Sequence, residues 1–323
     1  MVEQVALDAA AEAIAAGDEI ALACHVGPDG DALGSMIGFG IAARNAGKKV
    51  VASFGSPFDV PSNLAFLPND LLVPPDDFPE APPLMVVFDA GSADRLAELG
   101  SPAGKAGVLI VVDHHVTNEG FGDIGLIDPR AAASGVLVAD LLERLGWPLT
   151  PEIATCLHTA LVTDTGRFQY ANTTPATLRL AADLVEAGAR PEEIGREVYE
   201  EAPFGYLKVA GVALSRAVLD EGSSTVSTYV TEQDLDEAGI DWGDIDNLIN
   251  TLRLAEEADI AVLAKVHADD RVRVSLRSRG GTDVGALAQA LGGGGHRFAS
   301  GFTHEGKAEE AIDEVRKLVE HHR

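Results

Sequence analysis

Residues 18–25 read DEIALACH, a short apolar run that stops at His25, and after the turn VGPDG the chain continues as DALGSMIGFGIAARNAG over residues 31–47. The first stretch has the length and continuity of a strand buried on both faces, and the second carries its apolar residues at helical spacing. A second strand, KKVVASF, follows at residues 48–54. After a proline-rich connection near residues 57–83 the alternation resumes with LMVVFDA at 84–90, a short helix, and VLIVVDHH at 108–115. Continuous apolar runs separated by helices predict a parallel sheet covered on both faces, a doubly wound α/β domain. Outward from this core, the alanine-rich start of the chain predicts an amphipathic helix, and residues 131–201 predict four more: AAASGVLVADLLERLG, PEIATCLHTALVT, TPATLRLAADLVEAG and PEEIGREVYEE. Beyond Ala217 the texture changes to strands such as STVSTYV, ADIAVLAKVH and RVRVSLRSR mixed with helices, which predicts a smaller α+β domain. The expected division is a catalytic, metal-binding domain at 1–188, a helical linker at 189–216 and a substrate-binding domain at 217–323.

Composition narrows the function. The chain has 323 residues, enough for two domains, and 51 acidic against 24 basic side chains give a formal charge of −27. A surface this acidic repels a long polyanion, which argues against processive binding to long nucleic acid while leaving room for a small anionic substrate at a locally neutral site. No apolar run approaches the ~18–20 residues that a membrane helix needs, and the acidic start lacks the basic region of a signal peptide. A cytoplasmic protein without a membrane partner is expected. Cys24 and Cys156, the two cysteines, both lie in apolar segments and read as reduced core thiols.

Ligands of open parallel sheets sit outside the carboxyl ends of the strands. Here those ends carry His25 with Asp29 and Asp31 just beyond it, then Asp89, then Asp113-His114-His115, and the apolar helix ending LVTDTGRF adds Asp164 with Arg167 three residues later. Clustered carboxylates without counter-charges repel one another unless a cation neutralises them. Aspartate and histidine donors without thiolate suit Mn²⁺ or Mg²⁺. Four aspartates balance two divalent ions, which favours two metals over one. Each piece has a plainer reading: Asp89 could cap the helix that follows it, and a lone histidine at a sheet edge is usually structural. The coincidence of all five elements is what the plainer readings do not supply.

In this order HVGPDGDALGS, VFDAGS, VVDHH and TDTGRF resemble the four motifs of the DHH phosphoesterase superfamily, and LGGGGHRFASGF near the C-terminus resembles its associated DHHA1 domain. The pairing in a compact chain is similar to the branch of nano-RNases and 3′-phosphoadenosine-5′-phosphate phosphatases. The resemblance implies that His25, Asp29 and Asp89 hold one ion, that Asp31, Asp89, His114 and Asp164 hold the other, and that Asp89 bridges them. It also implies that His115 contacts the scissile phosphate and that Asp113 orients a histidine. The expected cofactor is a pair of Mn²⁺ ions, with Mg²⁺ or Co²⁺ as alternatives, sharing a hydroxide that attacks phosphorus in line.

In RVRVSLRSR, Arg271, Arg273, Arg277 and Arg279 share one parity and the apolar residues the other, so one strand face is basic. Solubility alone accounts for Arg271 and Arg273, whereas Arg277, nearest the glycine run, is the candidate phosphate or sugar ligand. Gly293, Gly294 and Gly295 can bring backbone N–H groups close to an anion, His296 follows them, and Arg167 is the candidate in the first domain. Metals on one domain and nucleotide capture on the other limit substrate length. The expected substrates are short RNA oligonucleotides, linear dinucleotides and 3′-phosphoadenosine-5′-phosphate, and a homodimer is expected from the resemblance. The rivals are a cyclic-dinucleotide phosphodiesterase, a RecJ-type single-strand exonuclease and, outside enzymes, a nucleotide-sensing module.

Overall fold

The computed structural model describes residues 4–321 except residues 270 and 296. The chain forms two compact units divided after Glu200. Residues of the expected connector are shared between them: helix α7 (Pro191–Gly195) and a π-helical turn (Arg196–Glu200) end the first unit, and α8 (Phe204–Ser215) begins the second.

The first unit is built on five parallel strands, β1 (Glu19–Cys24), β2 (Lys49–Phe54), β3 (Met85–Phe88), β4 (Leu109–Asp113) and β5 (Ile124–Ile127), in the order β2-β1-β3-β4-β5. Alternate residues feed two cores. Ile20, Leu22, Phe54, Val86, Phe88, Ile110 and Val112 pack under helices α1 (Gln4–Ala16), α2 (Gly30–Asn45), α4 (Ser134–Leu145) and α5 (Pro151–Asp164). Ala21, Ala23, Met85, Val87 and Val111 pack on the other face against a 3₁₀ segment (Ala93–Leu99) and α3 (Gly100–Lys105). Helix α6 (Pro175–Glu186) packs against α5. Both cysteines are free thiols in this buried interior. Strand β5 is absent from the sequence reading; its four residues, IGLI, include a glycine and offer too little alternation to register.

In this order the chain leaves β1 for β2 on one side and returns to β3 on the other, so the carboxyl ends of β1 and β3 flank the topological switch point, where such sheets bind ligands. Helix α2 starts directly over that point and lies tight against α5. The contact is made by Gly30, Gly34 and Gly38, one turn apart: a β-carbon on Gly34 would stand 2.4 Å from the Cys156 carbonyl oxygen.

The second unit carries a six-stranded mixed sheet, β6 (Val218–Asp220), β7 (Thr225–Thr231), β8 (Ile260–Val266), β9 (Arg271–Ser278), β10 (Gly294–Gly295) and β11 (Ala299–Glu305), ordered β10-β11-β9-β8-β7-β6. Helices α11 (Val284–Ala290) and α12 (Ala308–His321) share one core with β8 and β9. Helices α8, α9 (Glu232–Ala238) and α10 (Leu248–Leu252) share another with β7 and β8. Among the described residues no helix is long and apolar enough to cross a membrane.

Candidate metal centre

Six side chains converge over the switch point, delivered by several local devices. His25 follows β1 directly; its Nδ1 lies 3.0 Å from the Val26 carbonyl oxygen, so Nδ1–H donates there and Nε2 is turned toward the carboxylates. His114 is fixed in the same way by Ala131 O, 3.2 Å from its Nδ1. Asp29 is the N-cap of α2, its Oδ1 accepting from the N–H groups of Asp31 and Ala32 at 3.0 Å. Asp31 lies in the first turn of that helix, fully buried, and accepts from Ser35 Oγ (2.9 Å), Ser134 N (2.6 Å) and Gly135 N (3.0 Å). Asp89 caps no helix; it ends β3 with φ of 54°, a left-handed conformation that aspartate tolerates and bulkier residues resist, and accepts from Ser134 Oγ at 3.0 Å. Asp164 is the last residue of α5, brought beside Asp31 by the glycine contact of α2 with α5.

The distances define overlapping donor sets. His25 Nε2 lies 3.5 Å from Asp89 Oδ2 and 3.9 Å from Asp29 Oδ1. His114 Nε2 lies 3.7 Å from Asp31 Oδ2, 3.6 Å from Asp89 Oδ1 and 3.4 Å from Asp164 Oδ2. Within each of the triads His25-Asp29-Asp89, Asp31-His114-Asp164 and Asp89-His114-His115, one donor atom per residue lies within 4.8 Å of the others. An ion about 2.1 Å from each donor sets neighbouring donors about 3–3.5 Å apart and opposed ones about 4.2 Å apart. The spacing therefore fits divalent cations, and Asp89 is shared between two triads.

The electrostatics fit as well. Burial, joined by the charge of Asp89, pushes the Asp31 carboxyl well above the usual range, and burial pushes Asp164 up to about 7 against the opposing pull of His114. Burial disfavours charge on His25, yet its hydrogen bond with Asp89 and the charge of Asp29 outweigh that and raise it to about 9. His114, buried too, is raised to about 10 by Asp164, Asp31 and Asp89. Such a pocket holds protons wherever it does not hold other cations.

Beside these donors, Asp113 Oδ1 lies 2.6 Å from His115 Nδ1 and also accepts the His114 N–H at 2.9 Å, while its Oδ2 accepts from Asn118 Nδ2 at 2.6 Å. Asp113 thus orients His115, leaving Nε2 as the ring nitrogen turned from it. Ser134, Gly135, Ser35 and Asn118 are missing from the sequence reading. Ser134 and Gly135 carry one signal, the small-residue start of a helix in AAASG, but their partner Asp31 is a hundred residues away. Arg95, whose Nη2 is 3.4 Å from His25 Nδ1, is likewise missing.

Arg167 is in the first unit and exposed, its guanidinium 4.1 Å from the centre of the Tyr199 ring. The remaining predicted substrate residues lie in the second unit. On β9, Val272, Val274 and Leu276 are buried, Arg271 and Arg273 are exposed and Arg277 is half-buried. Arg271 pairs with Asp269, and Arg277 Nη1 donates to Leu276 O at 3.0 Å. The glycine run is more ordered than a free loop: Gly293 donates its N–H to Ala288 O, and Gly294 and Gly295 pair with Gly301 and Ser300 of β11. The Gly293 N–H is therefore committed to closing α11. His296 lies outside the described residues.

Comparison with known proteins identifies the family and the fold. Residues 19–161 match the model of the DHH family N-terminal domain, and residues 222–321 match the DHHA1 domain. The bifunctional oligoribonuclease and PAP phosphatase NrnA of Thermus thermophilus is 36% identical over 303 residues, 93% of this chain and 89% of the relative. The protein of the same name from Bacillus subtilis is 29% identical over 88% of both chains. The crystal structure of an exopolyphosphatase-related protein from Bacteroides fragilis superposes with a TM-score of 0.91 at 24% identity, covering 100% of this chain and 97% of the other, which shows the shared fold. The chain belongs to the DHH–DHHA1 phosphoesterase family, beside the NrnA proteins.

Proposed function

We propose that the protein is a two-metal phosphoesterase that hydrolyses short oligoribonucleotides and linear dinucleotides to nucleoside monophosphates, and 3′-phosphoadenosine-5′-phosphate to AMP and phosphate. The observation that carries the reading is the sharing of Asp89 between donor triads that also contain His25 and His114. His25, Asp29 and Asp89 would hold one ion and Asp31, Asp89, His114 and Asp164 the other, with manganese the first choice and magnesium or cobalt alternatives. Bound there, two divalent ions supply Lewis acidity toward phosphate oxygens and lower the pKa of water to near neutrality.

The chain's own residues do the rest. Ser134 donates to both Asp31 and Asp89 and so fixes the two carboxylates relative to each other. Asp113 holds His115 with Nδ1 inward, so His115 meets the scissile phosphate through Nε2 and donates a proton toward the departing oxygen. Arg167 in the first unit, and Arg277, Gly294, Gly295 and His296 in the second, are the proposed contacts to the rest of the nucleotide. The NrnA names of the relatives support this substrate class, and the charge of −27 argues against long polymers. A cytoplasmic homodimer fits this reading.

Product analysis with Mn²⁺ tests it, on a panel of 3′-phosphoadenosine-5′-phosphate, linear and cyclic dinucleotides and longer RNA. The expected result is turnover of the first two substrate types, with strands of twenty or more nucleotides and cyclic dinucleotides poor. Equal efficiency on long RNA or on the cyclic substrates would replace this reading with one of its rivals.

A further inference from the structure

Immediately after Asp164 the chain does something costly. Gly166, Arg167 and Phe168 have φ of 55°, 61° and 61°, three consecutive residues in the left-handed region. For arginine and phenylalanine that conformation costs roughly 1–2 kcal/mol each, and such strain persists only where the surroundings impose it. Here they do. Arg167 N–H donates to Val162 O at 2.8 Å, Phe168 N–H donates to Thr165 Oγ1 at 3.1 Å, and Thr165 Oγ1–H donates in turn to Leu161 O at 2.7 Å. The Phe168 ring packs against the main core, edge-on to His158. Gly166 lies against the Tyr170 ring, where a β-carbon would stand 2.3 Å from Cζ.

The turn throws Arg167 outward onto Tyr199, with the guanidinium carbon 4.1 Å from the ring centre. Tyr199 belongs to the π-helical turn Arg196–Glu200, a rare geometry that occurs mostly as single turns and frequently at functional sites. Its hydroxyl donates to Val162 O at 3.2 Å, the carbonyl that also accepts the Arg167 N–H. Partial burial pushes the Tyr199 phenol above its ordinary value, the Arg167 guanidinium opposes that rise and Tyr170 and Asp164 add to it, which puts guanidinium, ring and carboxylate in one neighbourhood. Among the described residues Arg167 enters no ion pair, in a chain with 51 acidic side chains.

We propose that Tyr199 is a positioning residue that holds the Arg167 guanidinium flat against its ring, keeping the N–H fork from folding onto nearby carboxylates and presenting it to a phosphate group of the bound nucleotide. The inference rests on the substrate class proposed above. A guanidinium stacked on one face keeps its in-plane donors for a phosphate, which a lysine ammonium in the same place does not.

Steady-state kinetics on a 5′-phosphorylated diadenylate with Mn²⁺, and calorimetric binding of AMP, test it in Y199L, Y199F, R167M, R167K and the double variant Y199L/R167M. Losing the stack is expected to raise KM and the Kd for AMP about 5–10-fold in Y199L with kcat within about threefold, and Y199F is expected to restore both. R167M and R167K are expected to weaken binding about tenfold or more, and the double variant no further than R167M alone. Unchanged KM and Kd in Y199L, or losses that add in the double variant, overturn the inference. Should Y199L fail to fold, R167K decides: wild-type AMP affinity in R167K overturns it. If the wild type turns over no nucleotide while AMP binding still shows the non-additive pattern, the substrate reading fails and the role of Tyr199 stands.

Discussion

Gly34 of α2 and Cys156 of α5 touch backbone to backbone, with room for a hydrogen and nothing larger: a β-carbon at residue 34 would meet the Cys156 carbonyl oxygen at 2.4 Å. This contact sets how near the helix bearing Asp31 comes to the helix ending in Asp164. Gly34→Ala should therefore force α2 and α5 apart and cost about 1–3 kcal/mol. Urea unfolding of the variant measures the loss. Mn²⁺ titration should show weakened binding alongside it, and a variant with wild-type stability and affinity would contradict the packing argument.

Asp89 is the one carboxylate in both the His25 and the His115 triads. Asp89→Asn keeps size and the bond from Ser134 but removes a charge, so turnover on 3′-phosphoadenosine-5′-phosphate should fall by at least about a hundredfold. Treatment of the wild type with EDTA should abolish activity, and added Mn²⁺ should restore it. Activity indifferent to both manipulations would remove the metal assignment.

Ser134 touches two of the proposed ligands and, in this scheme, no ion. Ser134→Ala deletes the hydroxyl bond to Asp89 while keeping the backbone bond to Asp31. The expected effect is a loss of about 10–100-fold in metal affinity or in activity at limiting metal. Saturating Mn²⁺ should recover much of the rate. Isothermal titration read beside the kinetics separates this from simple unfolding.

In the second unit Asp234 accepts both nitrogens of the Arg216 fork, at 2.6 and 2.9 Å, and closes the capping box of α9 with Thr231. The hydrogen bonds from Arg216 hold its carboxyl down to about 2 from an ordinary 3.8. A depressed folded-state pKa means stability fully present above the unfolded value and lost as pH falls from about 4 through about 2. Asp234→Asn should cost about 1–2 kcal/mol at pH 7. Thermal melts of the two proteins should converge as pH drops toward 2, and a constant gap across that range would sink the assignment.

How much of this was written locally in the chain depends on where each residue finds its partners. His25, Asp29, Asp31, Asp89 and His114 were legible because each follows or ends an unbroken apolar run, and a parallel sheet brings all such ends to one edge. Asp164 was legible from its place at the end of an apolar helix. Ser134 and Asn118 were not, because serine and asparagine are common at helix starts and turns for local reasons, and their partners Asp31 and Asp113 come from other elements. Tyr199 escaped for a related reason: its stack on Arg167 depends on a left-handed turn and a π-helical turn, and neither has a periodicity to read. The pairing of Gly294 and Gly295 with β11 was not legible either, because a run of four glycines carries no side-chain alternation from which a strand could be read.

Asp29 serves two masters with one oxygen. Its Oδ1 closes the first turn of α2 and is also the atom 3.9 Å from His25 Nε2. An asparagine there would still close the turn, so a single exchange of oxygen for nitrogen would yield a soundly folded molecule with a crippled ion pocket. Loss of chemistry at this position would leave no trace in a melting curve, and screens that sort variants by expression or thermal shift would pass it as healthy.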